Sequence, residues 1–93
     1  MTDYKIKFRF HAIQRMFERD ITVETVKKVI FSGKVIKDYS DDKPYPSQLI
    51  LGFDGNSPLH VVVAINYAEK ELIVITVYSP QTELWDASFE RKK

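Results

Sequence analysis

Cysteine is absent from the 93 residues, which removes disulfides, thiolate zinc sites and a cysteine nucleophile. Glycine occurs only three times, and no Walker loop, GxGxxG or GxSxG pattern can be found. No apolar run approaches the roughly 18 residues of a membrane span. The opening Met1-Thr2-Asp3-Tyr4-Lys5 carries no apolar stretch of a signal peptide. A cytoplasmic protein with no membrane partner is the expectation. Asp38, Asp41 and Asp42 lack the ligand spacing of an EF-hand loop and have Lys43 beside them, so no metal or other cofactor is expected.

What is present suffices for one core. Apolar residues make up 44% of the chain, and its length allows a single domain over residues 1–93. The net charge of +1 conceals an asymmetry: residues 1–37 hold nine Lys/Arg against four Asp/Glu, and residues 38–93 hold five against nine. A basic half beside an acidic half hints at a polyanion-facing end, although ordinary solvated charge gives the same counts.

Hydrophobic period divides the chain into elements. Tyr4 to Phe10 alternates, with Ile6, Phe8 and Phe10 on one side and Lys5, Lys7 and Arg9 on the other, which predicts a half-buried strand. From His11 the period becomes helical: Ala12, Ile13, Met16 and Phe17 share one face, and His11, Arg15 and Glu18 the other. Asp20 and Ile21 end this helix. Thr22 is placed to cap a second one, with Ile21 and Val26 as its staple, and Gly33 to stop it. Strands are expected at 35–39, 47–53, 59–66 and 71–78, with turns at 54–58 and 67–70 and a proline-bearing loop at 40–46. The fold class is α+β: two N-terminal helices on one face of a four- to five-stranded antiparallel sheet.

Alternation splits each strand into two faces. The richer faces are Leu49, Leu51 and Phe53; Leu59, Val61, Val63 and Ile65; and Ile73, Ile75 and Val77. Helices should cover these, since burial is worth about 25 cal/mol per Å². Gln48, His60, Asn66, Thr76 and Tyr78 then collect on the opposite face, with the tail and its Trp85 over part of it. If His60 lies opposite Tyr78, the two are cross-strand neighbours.

A set of short pieces in order, His11-Ala12, Arg15-Met16, Glu18-Arg19-Asp20-Ile21, Val35-Ile36, Tyr39, Pro46-Ser47, Leu51-Gly52, Pro58-Leu59-His60-Val61-Val62, Ile75-Thr76-Val77-Tyr78, Pro80 and Trp85, resembles the bacterial family called domain of unknown function 4258. Asp20 departs from it, since glycine is usual there. The family is similar in fold to RelE-like type II toxins. The resemblance implies a metal-independent endoribonuclease acting on mRNA, paired with a small antitoxin of zinc-finger or helix-turn-helix type. It transfers no catalytic residue.

Cleaving RNA without a metal needs a base for the 2′-hydroxyl, an acid for the leaving oxygen and cations for the phosphorane. The candidates are His11 as base, Arg15 one turn along for the phosphate, and His60 with Tyr78 on the open sheet face. Lys5, Lys7, Arg9 and Arg19 are candidates for following the RNA backbone. Each has a structural counterpart. His11 can cap a helix, the arginines can bridge neighbouring carboxylates, His60 can be a satisfied strand residue, and Tyr78 can simply pack. A non-catalytic module that holds nucleic acid or protein by its basic edge is the alternative.

Overall fold

The computed structural model describes residues 3–93. Met1 and Thr2, the start of the segment read above as lacking a signal peptide, lie outside the described residues. The elements run β1 (Lys5–Phe8), α1 (Phe10–Glu18), α2 (Val23–Ser32), β2 (Lys34–Tyr39), β3 (Ser47–Asp54), β4 (Ser57–Asn66) and β5 (Glu71–Tyr78). The strands form one sheet in the order β1-β5-β4-β3-β2. The α+β class and the positions of the strands agree with the sequence. The all-antiparallel sheet does not: β1 lies parallel to β5, with Lys5 opposite Glu71 and Phe8 opposite Val74. The helices are near the N-terminus but follow β1, as the alternation from Tyr4 required. Among the described residues no helix is long and apolar enough to cross a membrane.

Local chemistry explains the helix boundaries. Thr22 caps α2 through its hydroxyl, which accepts from the Thr25 amide at 3.1 Å, and Ile21 packs on the core that contains Val26. Asp20 takes a φ of 57° between the helices. A short polar side chain tolerates this left-handed conformation better than most, which accounts for an aspartate where glycine would serve. Gly33 ends α2 with an extended backbone, φ −79° and ψ 179°, not the left-handed cap expected of a terminal glycine. Its need is for space: a Cβ there would meet the Val29 carbonyl and stand 2.6 Å from the Leu51 carbonyl oxygen.

The core lies between the helices and one sheet face. Ala12 and Met16 of α1 and Val26 and Val29 of α2 pack on Ile50, Leu59, Val61, Val63, Ile65, Leu72, Val74 and Val77. β4 presents the face expected of it; β3 and half of β5 do not. In β3 the helix side is Gln48, Ile50 and Gly52, paired with Val63, Val61 and Leu59. Val29 sits so close to Gly52 that a Cβ there would come within 2.6 Å of its Cγ2. A glycine under the helix leaves room for close packing, and the leucines go to the other side. In β5 the register shifts where Val62 pairs with Thr76 but Val63 with Val74, so Ile75 is an extra residue. This bulge reverses the alternation: Leu72, Val74 and Val77 face the helices, and Ile73, Thr76 and Tyr78 face away.

The second sheet face is also covered. Leu49, Leu51, His60, Ala64 and Ile73 are all buried, as is Trp85 from the tail. Conversely, α1 buries only part of its apolar side. Phe10, Ile13 and Phe17 are 78%, 51% and 88% exposed, so none of them reaches the core, and Phe10 opens α1 where a strand end was expected.

Candidate functional site

β1 pairs with β5 only as far as Val74. Beyond it the chain turns into α1, which lies against the rest of β5, and this places the first turn of the helix beside Thr76. The exposed His11 sits there, its Nε2 3.1 Å from Thr76 Oγ1. Thr76 partners His11 although it was read above only as one polar member of a sheet face. Arg15, one turn further, is exposed, and its Nη1 is 3.2 Å from Glu18 Oε1. Such an exposed pair contributes little to stability, so the guanidinium can exchange partners cheaply.

Two residues along the same face of β5 stands Tyr78, opposite His60, so the register is the one that makes them cross-strand neighbours. The rings are 5.1 Å apart at 72°, and Tyr78 Oη lies 3.1 Å from His60 Nδ1. His60 is fully buried. Its Nε2 is 2.8 Å from the Phe89 carbonyl oxygen, and Trp85 stands edge-on at 4.4 Å. A carbonyl only accepts, so Nε2 carries the hydrogen and Nδ1 accepts from the tyrosine hydroxyl. Burial lowers the pKa of His60, against a smaller opposing effect of the Phe89 carbonyl. Burial also raises that of Tyr78, reinforced by nearby Tyr39. The pair is thus a neutral imidazole joined to a neutral phenol, sealed by the tail.

The structure thus joins His11 to Thr76 and His60 to Tyr78, two pairs two residues apart on one face of β5, with Arg15 one helical turn from His11. The basic residues divide. Lys7 Nζ is 2.6 Å from Glu71 Oε2, and that carboxylate raises the lysine pKa. Lys5 and Arg9 are exposed on the same edge, while Arg19 at the end of α1 borders a cleft with Asp54, Ser57 and Ser79. Among the described residues no group of three or more His, Asp or Glu is arranged to hold a metal ion. The tail's part, through Trp85 and the Phe89 carbonyl, had one signal in the sequence: a lone tryptophan in a segment otherwise rich in polar residues.

The family model described as domain of unknown function (DUF4258) matches residues 8–79. Comparison with curated proteins and with solved structures gives no match.

Proposed function

The chain belongs to the DUF4258 family, and we propose that it acts on RNA through the surface formed by α1 and the exposed end of β5. The observation that carries this is His11, an accessible imidazole held on Thr76, with the Arg15 guanidinium one turn away. In this reading His11 takes the proton of a 2′-hydroxyl, and that oxygen attacks the adjacent phosphorus. The bond to the 5′-oxygen breaks, leaving a 2′,3′-cyclic phosphate, and the departing oxygen takes a proton from water. Arg15 neutralises the phosphorane charge. Tyr78 directs its hydroxyl at His60, so its part is to stack against a base; His60 positions Tyr78 and does not touch substrate. The finer proposal, a type II toxin of RelE type silenced by a small antitoxin protein, rests on resemblance.

The purified protein is expected to cleave single-stranded RNA in the presence of a chelator, giving cyclic-phosphate ends. His11→Ala and Arg15→Ala each lower the rate at least about tenfold without loss of fold. Expression should arrest growth in the wild type and not in Arg15→Ala. An inert and harmless wild type counts against the nuclease. A second reading is favoured by the burial of His60, which leaves one accessible imidazole in the region: a module that binds RNA without cutting it. That protein shows salt-sensitive binding and no products.

A further inference from the structure

Tyr78 also lines a groove of about 530 Å³ on the tail side of the sheet. Tyr39 and Lys37 of β2 form one wall, and Trp85, Arg91 and Lys92 of the tail form the other. Two cations already lie over aromatic rings: Lys37 Nζ is 5.8 Å from the centroid of Tyr39 and Lys92 Nζ is 5.9 Å from that of Trp85. Glu90, the acidic residue of the lining, is engaged by Lys34 at 2.8 Å. The groove thus presents π-faces with an excess of positive charge. Aromatic faces beside cations are the combination that holds unstacked bases and their phosphates, and stacking is sequence-tolerant because every base has a π-face.

The groove reaches toward His11 through Tyr78, which lies two residues from Thr76, the partner of His11, on the same face of β5. We infer that it takes a base of single-stranded RNA between Tyr39 and Tyr78, with the flanking phosphates on Lys37, Arg91 and Lys92. This inference rests on the proposed action on RNA and gives it a direction: the chain of nucleotides crosses from α1 to the tail over Tyr78. A duplex keeps its bases stacked and paired inside, so it cannot offer one to the groove.

Trp85 is the single tryptophan, so its emission reports occupancy of the groove. A labelled oligo-2′-O-methyluridylate, which cannot be cleaved, serves as probe; its anisotropy reads binding anywhere on the protein. Binding is expected to change Trp85 emission in step with anisotropy. Tyr39→Ala and Lys37→Glu, both at the exposed edge strand, should each weaken binding about tenfold with unchanged unfolding midpoints, and the corresponding duplex should bind more weakly than the single strand. Binding by anisotropy that leaves Trp85 emission and both variants unaffected overturns the groove, while loss of that binding in Arg15→Ala keeps the proposed function. A wild type that binds no single-stranded RNA overturns both.

Discussion

At the scale of single residues, His60 has the most consequential surroundings. Burial holds its folded pKa below the ordinary 6.5. Above about pH 6.5 the imidazole is neutral in both folded and unfolded chains, and its contribution to stability is fully present. As pH falls below that value the unfolded chain takes up a proton first, and stability is lost down to the lowered folded pKa. Denaturation midpoints should therefore decline between pH 7.5 and 5, and His60→Gln should flatten the decline. An unchanged slope in that variant would locate the effect elsewhere. Sequence reasoning found the His60–Tyr78 pair from strand register and Thr22 from the chemistry of helix caps. Cover by the tail was expected through Trp85, but the partner of His60 was not, because that carbonyl belongs to Phe89, twenty-nine positions away, and nothing local to either residue records the approach.

At the scale of elements, the apolar stripe of α1 is wider than the surface that covers it. Met16 is 5% exposed and Phe17 88%, although the helical wheel puts them on one side. Met16→Ala is expected to cost about 2–5 kcal/mol, whereas Phe17→Ser should stay within about 0.5 kcal/mol; urea titrations of the two variants separate them. The wheel gives the direction of a side chain and not the extent of the neighbouring sheet. β5 teaches the same point in another way. Counting apolar residues by alternation succeeds up to a bulge and inverts beyond it, and the extra residue, Ile75, has no glycine or proline to mark it. For β3 the count failed because both faces are buried, so hydrophobicity does not choose between them; Gly52 does, by letting α2 approach.

The whole molecule is a sheet with two covered faces, helices on one and the tail on the other. Trp85 is the anchor of the second layer, packed on His60 and only 7% exposed. Trp85→Ala is expected to cost about 3–5 kcal/mol, read as a lowered denaturation midpoint. A variant near wild-type stability would mean that the tail merely rests on the sheet. The spans of β2 to β5 were legible in the sequence because Gly33 and the turn segments bound them, whereas the number was left at four to five and β1 was read too long, through Phe10. The direction of β1 was not legible, since alternation describes a strand's faces and is blind to its orientation.

That orientation carries a consequence for assembly. The earliest strand docks against the latest: the Lys5 amide bonds to the carbonyl of Lys70 and the Arg9 amide to that of Val74, both at 2.9 Å. On a growing chain α1 has nowhere to rest its methionine and alanine until β5 has left the ribosome. Closing so long a loop comes before its contacts can repay the lost entropy. The same strand that α1 waits for bears Thr76 and Tyr78, so the surface proposed to meet RNA requires β1, α1 and β5 to have come together.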